Sequence, residues 1–196
     1  MTGSRSFAVT FDYRCPFARH LHIGLVAGVR NGKEWNAQFL PFSLDQVHVP
    51  EGEPPVWERP PDGRGSGVRA LEWGIAVRDA FPDRFGDFHL RVFDIRHVHG
   101  KRFTEETLRE AAVEVGLDPD AVAKEVATGR AIETLATEHT EAVDRWAVFG
   151  VPTLIEGDEA VFVRLMRPAT PADIDELLDS LHRTDLNEFK RTRVPR

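Results

Sequence analysis

The chain has one cysteine among 196 residues, and it stands directly before a proline in the stretch Phe7-Ala8-Val9-Thr10-Phe11-Asp12-Tyr13-Arg14-Cys15-Pro16-Phe17-Ala18-Arg19. Residues 7–11 are rich in aromatic and β-branched side chains and predict a buried strand. Asp12 to Arg14 form a turn, and a helical pattern starts at Pro16. Proline suits the first helical position, where its missing N–H costs nothing. Cys15 is then the N-cap, its sulfur facing the free N–H groups of Phe17 and Ala18 and the positive end of the helix dipole. A thiol so placed is expected to ionise easily, with a pKa of roughly 3.5–7.5. Arg14 and Arg19 are close enough in sequence to add positive charge. The alternative is a packed thiol, since lone cysteines usually act as small buried hydrophobes.

Other residue types that could do chemistry form no comparable constellation. His20 and His22 are two apart on a helix and face different sides. His97 and His99 fall at a helix end without a third ligand, and no zinc spacing occurs. No metal site is expected. His139 lies on an apolar helical stripe and reads as a packed core residue, or else as a polar group lining a cleft near Cys15. Gly63, Gly65 and Gly67 lack the Lys-Ser/Thr of a phosphate loop, and no nucleophile elbow supports a serine triad. Trp73 reads as core rather than as a ligand stack.

The elements that must position Cys15 follow from periodicity. Phe17, Leu21, Leu25 and Val29 mark a helix over 16–30, stopped at Asn31-Gly32. Residues 35–42 form a second strand, so the chain opens β-α-β with parallel strands. Residues 44–67 are a long Pro- and Gly-rich loop around Trp57, either covering a site or pinned as ordered surface. Five helices are expected over 68–81, 84–98, Thr104 to Gly116, 119–129 and 130–146; the last carries Ile132, Leu135, Ala136, His139, Val143 and Trp146 on one face. Residues 149–155 read as a turn and then a strand, and 160–165 as its partner strand across a hairpin turn at 156–159. Thr170-Pro171 caps a last helix with Ile174, Leu177, Leu178 and Leu181 on one stripe. This order predicts an α/β architecture: one sheet domain from 1–66 and 147–196, interrupted by a helical insertion at 67–146.

Composition sets the outer bounds. Hydrophobic residues make up 41% and charged residues 29%, a globular mixture. No apolar run approaches the roughly 18 residues of a membrane helix, so no membrane partner is expected. The net charge of −7 argues against nucleic-acid binding. The basic run 190–196 reads as a frayed terminus. A start without a signal-peptide core, and a cysteine without a disulfide partner, lead us to expect a cytoplasmic protein.

The element order, with Cys15-Pro16 at the first helix and Gly150-Val151-Pro152-Thr153 before the third strand, resembles the thioredoxin fold. More narrowly it resembles the DsbA-like group with an inserted helical domain. The matching residues are 12–18, Phe149 to Thr153, and Arg69-Ala70-Leu71-Glu72-Trp73-Gly74. The resemblance implies that Cys15 is the nucleophile and that Pro152 is a cis-proline facing it. It implies that the Val151 backbone is open to an extended peptide or thiol ligand, in the manner of strand addition. Pro16, Phe17, Val151 and Pro152 would contact the substrate, with Phe17 and the loop near Trp57 shaping an apolar pocket. Two departures stand out. Ala18 replaces the second cysteine of Cys-x-x-Cys, so Cys15 cannot resolve its own mixed disulfide internally. Val9 replaces an acidic residue that many relatives carry six positions before the nucleophile.

Three readings of the site result. The first is a monothiol oxidoreductase: Cys15 exchanges with a small-molecule disulfide, or with a protein disulfide, and a low-molecular-weight thiol such as glutathione or mycothiol releases it. No tightly bound cofactor is expected. The second follows the similarity to kappa-class glutathione transferases and 2-hydroxychromene-2-carboxylate isomerases, which activate a bound thiol and carry serine where Cys15 stands. The third is a binding module that kept the fold without the chemistry.

Overall fold

A computed structural model describes residues 4–188; the first three residues and the basic run 190–196 lie outside the described residues. The chain forms β1 (Arg5–Phe11), α1 (Pro16–Arg30), β2 (Trp35–Pro41) and a short α2 (Leu44–Val47), then two 3-10 turns at Val56–Glu58 and Pro61–Gly63. Five helices follow: α3 (Ser66–Ala80), α4 (Pro82–His97), α5 (Glu105–Glu114), α6 (Pro119–Ala127) and α7 (Arg130–Trp146). The strands β3 (Thr153–Glu156) and β4 (Glu159–Phe162) and the helix α8 (Pro171–Leu181) complete the fold.

The four strands make one sheet in the order β2-β1-β3-β4. β1 runs parallel to β2, with Phe7 opposite Ala37 and Phe11 opposite Pro41. β3 is antiparallel to both β1 and β4. Alternation along the strands sends side chains to two faces. Phe7, Val9 and Leu154 pack with Leu21 and Leu25 of α1 and with Ile174, Leu178 and Leu181 of α8. Ile155 belongs to a larger cluster that runs through Phe11, Tyr13, Cys15 and Ala18 into α3, α4 and α7. The helical block therefore shares its core with the sheet. Burying this much apolar surface, at about 25 cal/mol per Å², is the main force joining the two.

Several elements are shorter than the periodicity implies. β3 starts at Thr153, after the expected turn: Thr10 Oγ1 accepts the Thr153 N–H at 2.8 Å and Thr153 Oγ1 turns back to Gly150 O at 2.8 Å. Phe149 is 69% exposed in the preceding loop. β4 ends at Phe162, one residue before the Val163 N–H donates to Pro152 O at 3.0 Å. Val29 and Val143, placed on buried stripes by spacing alone, face solvent. The segment 44–67 is ordered by α2 and its two turns. Trp57 packs on His139 with ring centroids 5.4 Å apart, and His139 lies on Phe42 at 4.2 Å. The same loop closes over the turn before Cys15: a Cβ on Gly67 would sit 2.7 Å from Arg14 Nε.

A chain of hydrogen bonds crosses the core. Tyr13 Oη bonds His89 Nδ1 at 2.9 Å, His89 Nε2 bonds His22 Nδ1 at 2.9 Å, and His22 Nε2 bonds Thr10 O at 3.3 Å. All four residues are fully buried. A carbonyl can only accept, so His22 Nε2 carries its proton; each following bond then has one direction, ending with the Tyr13 hydroxyl donating to His89. Both rings are neutral, because burial lowers His22 to about 3 and puts His89 well below its ordinary value. His139, whose Nδ1 accepts the Ser43 N–H at 3.1 Å, is lowered by burial to about 4.

Histidines depressed from 6.5 bind protons more readily in the unfolded chain, so their contribution to stability is complete above pH 6.5 and is lost as pH falls toward 3–4. Urea denaturation across pH 7 to 4 is expected to show this loss, opposed only by Asp12 and Glu72, whose carboxyls burial raises. The variant His139→Phe should flatten the slope. It should also cost about 1–3 kcal/mol at pH 7 by leaving the Ser43 N–H without its acceptor.

Candidate active site at Cys15

β1 ends at a turn built on Asp12. Its Oδ1 accepts the Arg14 N–H and its Oδ2 the Leu44 N–H, both at 2.8 Å, while its carbonyl accepts the Cys15 N–H at 3.0 Å. The turn delivers Cys15 in extended geometry, φ −92° and ψ 117°, as the N-cap of α1, with exposed Pro16 at the first helical position. The sulfur accepts the Ala18 N–H at 3.4 Å. Across from it, the thiol donates to Val151 O at 3.3 Å. The Val151–Pro152 bond is cis, and both residues are buried. The loop carrying them is tied to β1 through Thr10 and to β4 through Val163. Cys15, Val151 and Pro152 therefore meet, with half-buried Phe17 beside them.

The charge environment departs from the sequence expectation in three ways. First, Cys15 is only 8% exposed, and burial pushes its thiol above the ordinary 9.0. The Ala18 and Phe17 N–H groups pull the other way, as do Coulomb contributions from Arg164, while Asp12 adds to the rise. The magnitudes agree with that order: a helix terminus contributes roughly 0.3–2 kcal/mol to an anion, whereas burying one costs several. Second, Arg14 and Arg19 are not the cations that matter. Arg14 Nη1 donates to Asp45 at 2.7 Å, and Arg19 pairs with Asp94 at 2.8 Å. Third, the rings of Phe17 and Trp57 take different polar partners. The Phe17 ring meets His20 and the Arg164 guanidinium, and Trp57 is on His139.

The remaining candidates settle elsewhere. His20 bonds Leu165 O, His97 bonds Tyr13 O, and His99 bonds Arg91. No group of three possible ligands for a metal ion occurs among the described residues. Trp73 is 2% exposed, in the core. Two groups escaped sequence reasoning. Asp12 was visible only as a turn residue, although an Asp two residues before its hydrogen-bonded N–H is a turn signal. Arg164 stands two after Phe162, the last residue of β4; in the expected strand over 160–165 that spacing puts both on one face, which could have flagged it.

A parallel-antiparallel sheet with a thiol at the first helix, a facing proline loop and five helices inserted before the final hairpin defines a thioredoxin-like α/β protein with a helical insertion. The model of the DSBA-like thioredoxin domain matches residues 83–170, somewhat less than half of the chain. That span holds most of the helical block, Pro152 and the final hairpin, and it leaves Cys15 outside. No curated protein sequence matches the chain. Among solved structures, it is similar to the thiol-disulfide exchange protein alpha-DsbA2 from Wolbachia pipientis, with TM-score 0.62 and 17% identity over 92% of this chain and 83% of that one. A thioredoxin-like oxidoreductase from Silicibacter pomeroyi gives 0.59 and 18% over 90% and 86%. The catalytic domain of Proteus mirabilis ScsC gives 0.61 and 14% over 91% and 84%. At these identities the likeness is one of fold.

The burial of Cys15 has a direct readout. Iodoacetamide alkylation followed against pH should give a midpoint above the ordinary thiol value of 9.0. A midpoint below 8 would show that the helix terminus outweighs burial.

Proposed function

We propose that the protein performs thiol–disulfide exchange with Cys15 alone, using a low-molecular-weight thiol such as glutathione or mycothiol to complete the cycle. The observation that carries this reading is the placement of the sulfur, 3.4 Å from the Ala18 N–H and 3.3 Å from Val151 O. Loss of the thiol proton forfeits the bond to Val151 O and keeps the one from Ala18. The N–H groups at the helix start then hold the anion. Attack on a disulfide joins Cys15 sulfur to one half and releases the other as thiolate. With Ala18 at the position of a resolving cysteine, a second small thiol must attack the mixed disulfide, restoring Cys15 and forming a new disulfide.

One observation favours a second reading. A thiol held protonated and donating a hydrogen bond resembles a serine hydroxyl, the group that bound-thiol transferases and isomerases carry at this place. Under that reading Cys15 donates to a guest thiolate instead of attacking.

The variant Cys15→Ser separates the two. Incubation of the protein with oxidised glutathione at pH 8.5 should add one glutathionyl group by mass spectrometry, and the serine variant should add none. Absence of any adduct in the wild type, with glutathione transfer to an electrophile intact in Cys15→Ser, would overturn the exchange reading in favour of the second.

A further inference from the structure

The charge of Arg164 favours the anionic form of the Cys15 sulfur, and its guanidinium has no carboxylate partner among the described residues. Its guanidinium carbon lies 4.7 Å from the centre of the Phe17 ring and 5.7 Å from that of Phe162. Phe162 in turn packs on exposed Phe149 at 5.2 Å and lies over Gly150, one residue before Val151. The aromatic rings thus hold a bare, exposed positive charge at the rim of the site, on a chain of net charge −7. Neighbouring arginines differ: Arg14, Arg19 and Arg167 are each committed to aspartates. Stacking on a ring face orients a guanidinium while leaving its N–H edge free for a planar anion.

We propose that Arg164 selects the disulfide that reacts with Cys15, favouring low-molecular-weight disulfides that bear a carboxylate near the sulfur. The inference rests on the exchange reading above and names its substrate class. In the step it assists, the Cys15 thiolate bonds to the nearer sulfur of the carboxylate-bearing disulfide. The S–S bond breaks, and the departing thiolate takes up a proton from water. The carboxylate of the half that remains attached pairs with the Arg164 guanidinium.

The test compares adduct formation on Cys15 with three disulfides: 3,3′-dithiodipropionate, neutral bis(2-hydroxyethyl) disulfide and cationic cystamine. Rates are measured by mass spectrometry at low salt for the wild type, Arg164→Gln and Arg164→Lys. The quantity read is the anionic-to-neutral rate ratio, because a change in thiolate fraction affects both rates and cancels. Removing the charge that pairs with the guest carboxylate, taken at an ion-pair contact of about 4–5 Å in a water-exposed setting, should lower that ratio by about three- to tenfold in Arg164→Gln. Lysine should restore most of it, and the cystamine ratio should move the opposite way. The effect should shrink in 0.5 M salt. Adducts that form with a ratio unchanged within twofold in Arg164→Gln overturn this inference and leave the exchange reading standing. No adduct with any of the three, while iodoacetamide still alkylates Cys15, overturns both.

Discussion

The burial of one carboxylate shapes everything around the Cys15 thiol. Asp12 is 1% exposed, yet both of its oxygens are satisfied by backbone N–H groups, from Arg14 on one side and Leu44 on the other. Those two bonds join the end of β1 to the start of α2, so the turn before Cys15 and the loop that follows β2 share one anchor. The same side chain opposes ionisation of the thiol it positions. Geometry and electrostatics at Cys15 therefore pull against each other: the turn that presents the sulfur to the helix terminus also surrounds it with buried surface and negative charge.

That conflict explains why a helix N-terminus does not by itself make a low-pKa cysteine. The N–H groups of Phe17 and Ala18 contribute a local attraction, while nearly complete removal from water penalises the anion over the whole side chain. The resting state is a neutral thiol donating to Val151 O. Under the proposed exchange reading, chemistry begins with the exchange of that carbonyl for another partner, which makes the facing proline loop part of the activation step as well as a wall of the site. Its own moorings, the Thr10 hydroxyl and the Val163 amide, fix where the carbonyl points.

Most of the architecture was legible because local signals agreed with tertiary packing. Cys15-Pro16, Thr104, Asp118-Pro119 and Thr170-Pro171 mark helix starts by side-chain capping, and each cap accepts the backbone bond its residue type suggests. The apolar spacing that marks α3, α4 and α7 also marks the surface they bury. Legibility failed where partners are distant in sequence. Nothing near residue 10 announces that its hydroxyl will accept the amide of Thr153 and moor the proline loop. Nothing near residue 14 says that Asp45 will claim its charge. The exposure of Val29 and Val143 reflects the same limit, since period 3.6 identifies a stripe and leaves its edges to whatever neighbour arrives. The thiol's environment was misjudged for a related reason: burial depends on the loop 44–67 and the helical block folding back over the turn, and a local motif carries no information about either.

The row Tyr13–His89–His22–Thr10 has a consequence for how this sequence can diverge. Because every proton in the row points the same way and the last acceptor is a backbone carbonyl, none of the three side chains can be made apolar alone without stranding a polar atom in the core. Replacing the histidine pair and the tyrosine together with apolar groups of matching shape leaves a single carbonyl to satisfy, so the whole set is cheaper to lose than any one part. Such strong epistasis means that related chains should carry the trio intact or lack it altogether, with few passing through intermediates.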